Sequence, residues 1–177
     1  MDWDTHQTTM HFLAWQLRER IGFNIESRQA WEGLDARLKV IPLESGDIMR
    51  LPWIYMSGHK NFRLPQAQVE NLRRYLLAGG TLWADDSTHE DDVTWDTAFR
   101  REIARVLPPD QGYCLRKIVK ADDHPLFRSC FDLREGYAGY WPPPGDKYRQ
   151  NFVEAIEING RLAVLYTRND YGDGLEI

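Results

Sequence analysis

From residue 53 to residue 86 the chain reads as an apolar run, a polar turn, an amphipathic stretch, a glycine pair and a second apolar run, and few folds accept that order. Trp53-Ile54-Tyr55-Met56 and Thr81-Leu82-Trp83-Ala84 do not alternate with polar residues, which suits strands covered on both faces in a parallel sheet. Between them, Pro65 is expected at the first position of a helix. Val69, Leu72 and Leu76 would form its buried stripe, Glu70 and Arg74 an exposed i,i+4 pair, and Gly79-Gly80 its end. Such a unit needs a crossover, and crossovers of this kind are right-handed.

The flanking sequence extends the pattern. A first helix is expected over Gln7–Ile21, with Met10, Leu13, Ala14, Leu17 and Ile21 on one face and Gly22 as its stop. Leu38 to Leu43 reads as a short strand. A helix from Trp95 to Leu107 would bury Phe99, Ile103, Val106 and Leu107 and end at Pro108-Pro109. Tyr113–Val119 reads as a strand. Residues 152–158 and 161–166 flank Asn159-Gly160, a strong hairpin signal, which would add antiparallel strands at one sheet edge. Residues 134–150, with Pro142-Pro143-Pro144, read as a long loop. Nothing repeats, so residues 1–177 are expected to form one α/β domain.

Composition narrows the function classes. The net charge of −5, from 27 acids and 22 bases, is spread along the chain and argues against a nucleic-acid surface, which needs clustered Lys and Arg. No apolar run approaches the roughly 18 residues of a membrane span. Met1-Asp2-Trp3-Asp4 lacks the features of a signal peptide, so the default expectation is a cytoplasmic protein. Cys114 and Cys130 form no metal or redox motif and read as small, partly buried hydrophobes.

In an open parallel sheet, ligands bind beyond the carboxyl ends of the strands. Three such ends can be read here. The first carries Ser57, Gly58, His59 and Asn61, the second Asp85, Asp86 and Ser87, and the third Thr167, Asn169, Asp170 and Asp173. Carboxylates beside an imidazole suit acid–base chemistry or a divalent cation. Adjacent aspartates in extended backbone face opposite ways, however, so only one of Asp85 and Asp86 can aim into a given site. His124, held extended by Pro125, is a further candidate ligand residue or a hydrogen-bonded loop histidine. His6, His11 and His89 read as solvated. Tyr137, Tyr140, Trp141 and Tyr148 surround the triple proline and would either grip a sugar or peptide or pin their own loop. No nucleophile elbow, dinucleotide fingerprint or phosphate loop is present in the sequence, and no cofactor is expected, with a divalent metal left open.

Residues 51–62 (LPWIYMSGHKNF) and 72–86 (LRRYLLAGGTLWADD) carry a resemblance, together with Phe99-Arg100-Arg101-Glu102, His124-Pro125-Leu126-Phe127, Gly160-Arg161-Leu162 and residues 169–174 (NDYGDG). From about Trp3 to Glu176 the chain resembles a bacterial family of unknown function, number 4159. That family is similar to the class I glutamine amidotransferase fold and to ThuA-like proteins of trehalose utilisation. The resemblance implies a flavodoxin-like three-layer sandwich, mostly parallel, with a C-terminal antiparallel hairpin. It also implies an absent activity: amidotransferases place a cysteine nucleophile on the turn that here reads Asp85-Asp86-Ser87. Family members open with a strand before the start of this chain and continue past its end. The resemblance thus implies a trimmed or short member, in which an exposed edge strand would favour self-association into a homo-oligomer.

Two functions follow as expectations. One is a non-catalytic module that binds a small polar ligand or acts as a scaffold. The other is a hydrolase or isomerase of a small polar, carbohydrate-like substrate, working through His59 and Asp85 or Asp86, with or without a metal.

Overall fold

A computed structural model of the chain describes residues 9–22, 41–88, 92–119, 123–128 and 150–174. Its sheet is mixed and has five strands: β1 (Trp53–Gly58), β2 (Thr81–Asp86), β3 (Arg116–Val119), β4 (Phe152–Ile158) and β5 (Arg161–Thr167). Their order is β1-β2-β5-β4-β3. β1 runs parallel to β2 and β2 parallel to β5, while β4 is antiparallel to both β5 and β3. The helices are α1 (Thr9–Ile21), α2 (Gln66–Leu77), α3 (Thr94–Val106) and the single turn α4 (Tyr171–Gly174).

The β1–α2–β2–α3 succession agrees with the reading of the sequence, as does the hairpin. Asn159 (φ 53°) and Gly160 (φ 74°) both adopt left-handed backbone, as a two-residue turn of the favoured hand requires. The hairpin is not an edge addition, however. β5 enters the centre of the sheet beside β2, which its apolar run Leu162-Ala163-Val164-Leu165 permits, and β3 takes the edge. A register shift between Ile156 and Glu157 breaks the β4–β5 ladder.

Other boundaries move for local reasons. Pro65 caps α2 from outside the helix, and Glu70 and Arg74 do not pair with each other. Gln66 takes Glu70, and Arg74 donates to Asn71 Oδ1. Residues 38–40 of the expected strand 38–43 lie outside the described residues, and 41–43 are not strand. There, Asn71 Nδ2 donates to the carbonyls of Leu43 (2.7 Å) and Ser45 (2.8 Å), so a side chain from α2 replaces a strand partner. Of 113–119, only Arg116–Val119 pairs. Gly22, in left-handed backbone, closes α1 by bonding back to Arg18 O. Cys114 is a free, exposed thiol and not a buried hydrophobe. Cys130, His6, His89, the aromatic stretch 137–148 and the side chain of His11 lie outside the described residues.

Side-chain alternation separates the two sheet faces. Ile54, Met56, Leu82, Ala84, Val164 and Tyr166 meet Val69, Leu72, Leu76, Trp95, Phe99 and Ile103 from α2 and α3 in the main core. A smaller core of Ile118, Phe127, Val153 and Ala155, with Leu162 and Leu165 against it, lies over the β3–β4–β5 side. No described helix is long and apolar enough to cross a membrane.

Candidate functional site

Parallel register brings the ends of three strands level. Ser57 on β1 stands opposite Asp85 on β2, which stands opposite Thr167 on β5. Two of the three turns singled out in the sequence therefore meet directly at Asp85, and the third folds over it as α4. Thr167 Oγ1 donates to Asp85 Oδ1 at 2.6 Å, and that hydroxyl in turn accepts from Trp83 Nε1 at 3.0 Å. Tyr55 Oη donates to Oδ2 at 3.2 Å, and the Gly172 backbone N–H donates to the same oxygen at 2.9 Å. One carboxyl thus ties together β1, β5 and α4.

Asp85 is 0% exposed and Asp170, beside it, 1%. Burial pushes the Asp85 carboxyl up to about 7; the bonds from Thr167, Gly172 and Tyr55 pull it down, and the charge of Asp170 pushes it up. Burial also raises the Tyr55 phenol, with the Asp85 charge adding to the effect. Asp170 sits in left-handed backbone (φ 46°), and its Oδ1 accepts from the N–H of Asp173 in α4. The Gly172 carbonyl accepts from Thr9 Oγ1 at 2.7 Å, so the first residue of α1 fastens the outer side of α4.

Asp86 points to the other face, as strand alternation demands. Its Oδ1 accepts from the backbone N–H (3.0 Å) and hydroxyl (2.6 Å) of Thr88, and its Oδ2 from Arg168 Nε (3.0 Å) and Tyr166 Oη (3.4 Å). Tyr166 Oη also lies 2.7 Å from Asp96 Oδ1 at the start of α3. Burial raises the Asp86 carboxyl, and the bonds from Thr88 and the Arg168 charge offset part of the rise. His59 stands at this rim too. Its charge helps to lower the Asp92 carboxyl, behind the larger effect of two hydrogen bonds from Thr94, and the Asp92 carbonyl lies 2.8 Å from the Thr88 hydroxyl.

The remaining candidates are divided among separate tasks. Asn61 accepts from Arg101 of α3. Beside it the buried Glu102 accepts from the Leu64 N–H (3.2 Å), from Arg101 Nε (2.7 Å) and from Arg105, and Arg101 also bonds the Phe62 carbonyl. The Gly58-His59-Lys60-Asn61-Phe62 segment is thereby strapped to α3. The buried Ser87 donates its backbone N–H to Gly58 O. Asn169 grips the Gln150 backbone in both directions, accepting its N–H at 2.9 Å and donating to its carbonyl at 2.7 Å. His124 is not at this rim. It caps a 3-10 turn through Nδ1, which accepts from the Leu126 N–H, and its Nε2 lies 3.3 Å from Glu157, near the hairpin end of β4. Among the described residues, no group of three or more His, Cys, Asp or Glu side chains comes together in a way that could hold a metal.

Reading the sequence had passed over Tyr55, Trp83 and Gly172, which complete the shell of Asp85. Alternation held the signal for the first two, because Tyr55, Ser57, Trp83 and Asp85 must share a face once the register is known. Gly172 acts only through its backbone, and no residue type announces that.

An α/β domain with acidic residues sealed at the carboxyl ends of its central strands is what the fold and this site define. The chain belongs to the DUF4159 family, described as a domain of unknown function, whose family model matches residues 1–177. No curated protein matches it.

Proposed function

We propose that this domain is a non-catalytic module, similar to glutamine amidotransferases and ThuA-like proteins in a flavodoxin-like three-layer plan, whose ancestral crevice serves as a scaffold. The observation that carries this reading is the coordination of Asp85. Among the described residues, Thr167, Tyr55 and the Gly172 N–H donate to it, and the carboxyl has no exposed surface. A catalytic acid or base must come within hydrogen-bond reach of a substrate proton, directly or through one water. Here that space is filled by Gly172 and the turn that carries it.

Two further observations support the reading. By the resemblance, the segment nearest to the amidotransferase nucleophile turn is Asp85-Asp86 at the end of β2 with Ser87 after it, and all three residues are buried. Asn61, Asn169 and Asp86 are bonded to Arg101, to the Gln150 backbone and to Thr88 and Arg168 in turn, which are framework contacts.

The test is a turnover assay of the purified chain on a panel of amides, including glutamine, with glycosides and phosphoesters, with and without added divalent ions. No steady turnover is expected. Turnover that disappears in His59→Ala would replace this reading with the hydrolase or isomerase alternative, in which His59 and Asp85 or Asp86 act on a small polar substrate.

A further inference from the structure

The segment that joins β1 to α2 alternates in burial, with Phe62 and Leu64 buried and Arg63 turned to solvent between them. Its carbonyls are gripped by two arginines one turn apart on α3. Arg101 Nη2 bonds the Phe62 carbonyl, and Arg105 Nη1 donates to the Leu64 carbonyl at 2.9 Å. Three arginines are thereby brought to one short stretch of backbone, Arg101 and Arg105 by their heads and Arg63 by its place in the chain.

Charge is not balanced there. Arg101 and Arg105 share the carboxylate of Glu102, whose side chain is only 2% exposed, against 42% for Arg101 and 29% for Arg105. Glu70 of α2 is engaged by Gln66 Nε2. The exposed Arg63 has no hydrogen-bond or ion-pair partner among the described residues, and Lys60, earlier in the segment, adds another exposed cation. Lys60, Arg63, Arg101 and Arg105 thus outweigh Glu70 and Glu102 locally, on a chain whose net charge is −5.

The donors point the same way. A guanidinium carries five N–H groups in a fixed fork geometry that matches an oxyanion. Arg105 directs Nη1 to the Leu64 carbonyl and to Glu102, while its Nη2 reaches only Gln66 at 3.5 Å. Its Nε has no partner among the described residues. The Nε–Nη2 edge therefore stays open on a head whose position is already set from the Nη1 side. Arg63 has its whole fork to give. Arg101, by contrast, is taken up at Nε, Nη1 and Nη2 by Glu102, Asn61 and Phe62, so it holds the segment and contributes charge.

We propose that Arg63 and Arg105 form a binding site for a single phosphate group, held between the free fork of one and the open edge of the other. Two forks engage a tetrahedral dianion from two sides, whereas one fork already fills a planar carboxylate. The patch is bounded by Glu70, so it suits one phosphate on a small molecule and not the run of them along a nucleic acid. It uses no residue of the Asp85 shell and does not rest on the reading of that crevice.

The experiment follows carbon-detected arginine Nε–Cζ signals of the full chain by NMR. The titrants are inorganic phosphate, methyl phosphate, and chloride at matched ionic strength. We expect the Arg63 and Arg105 signals to move together and saturate with phosphate, and to stay in place with chloride. Tighter binding of methyl phosphate than of the free ion assigns the site to phosphate monoesters, and the reverse order assigns it to free phosphate. Arg63→Ala removes an exposed side chain that the fold does not use, and it should weaken binding about tenfold or more, as loss of a charge-assisted contact does. Arg63→Lys should recover part of that affinity, because it restores the charge without the fork. Arg116→Ala, on the opposite edge strand β3, should leave binding unchanged. A response that never saturates, one that chloride reproduces, or equal affinity in Arg63→Ala overturns the site. None of these results touches turnover, so the failure of this site and the failure of the non-catalytic reading are separately visible.

Discussion

Thr167 and Arg168 at the end of β5 repeat in polar form what Asp85 and Asp86 do at the end of β2. Thr167 donates to Asp85 on one face of the sheet at 2.6 Å, and Arg168 donates to Asp86 on the other at 3.0 Å. Two consecutive residues meet two consecutive residues, and the alternation of adjacent parallel strands sends each pair to its own side. The Thr167 bond belongs to the shell beneath α4. The Arg168 bond belongs to the α3 side, where Asp96 and Tyr166 join it.

Removing Arg168 tests the second half of this arrangement. Asp86 is buried, its carboxyl is already raised by that burial, and Arg168 is the cation that offsets it. Arg168→Ala is expected to cost about 2–3 kcal/mol in urea unfolding, since breaking a buried pair strands its partner. Arg168→Ala combined with Asp86→Asn should recover part of that loss, and a double-mutant cycle reads the coupling directly. Two losses that simply add would show that the pair contributes nothing beyond packing.

Glu102 gives a pH dependence of the opposite sign to that of Asp85. Burial pulls its carboxyl upward, but Arg101, the Leu64 N–H and Arg105 more than offset this, and the net shift is downward from 4.5. The folded state therefore holds the Glu102 proton less tightly than the unfolded chain does. Its contribution is complete above pH 4.5 and is lost as pH falls through the folded value. Glu102→Gln should flatten the acid limb of the stability curve and cost about 2 kcal/mol at pH 7, because the charge-assisted bonds become neutral ones. Urea midpoints at pH 3, 5 and 7 check this. An acid limb as steep as that of the unmodified chain would count against it.

Gly80 tests the packing of α2 against β2. A Cβ at this position would lie 2.2 Å from ring atoms of Tyr75, which is itself buried and whose hydroxyl bonds Thr81. The ring has nowhere to swing, so Gly80→Ala is expected to destabilise by about 1–3 kcal/mol through overpacking. Thermal unfolding measures it. Gly79 differs: a Cβ there meets open space, and only its φ of +119° resists substitution.

Much of the fold was legible because its signals are local. The apolar runs 53–56 and 81–84, the stripe Val69, Leu72 and Leu76, and Asn159-Gly160 each specify an element from a few neighbouring residues. The strand proposed at 38–43 was less readable at its described end, because Asn71, nearly thirty residues on, supplies the partner that draws 43–45 into a turn. The site divides in the same way. Asp85, Asp86, Ser57 and Asn169 stood out as polar residues at strand ends. Their partners did not, since Tyr55 and Trp83 looked like ordinary members of apolar strands. His124 seemed eligible by type alone and lies near the hairpin, away from Asp85.

The sequence by itself determined the strands β1, β2, β4 and β5 and the helices α1, α2 and α3, that β1 and β2 are parallel, and that β2 ends in two aspartates facing opposite ways. Periodicity and turn chemistry are properties of short stretches, so no tertiary information was needed. Only the tertiary structure decided that β5 enters the middle of the sheet and that Gly172 and Thr9 close over Asp85. Strand order and burial arise from contacts between residues as far apart as Thr9 and Gly172. A carboxyl's surroundings, and hence whether it faces solvent or locks a cap, exist only once those distant segments meet.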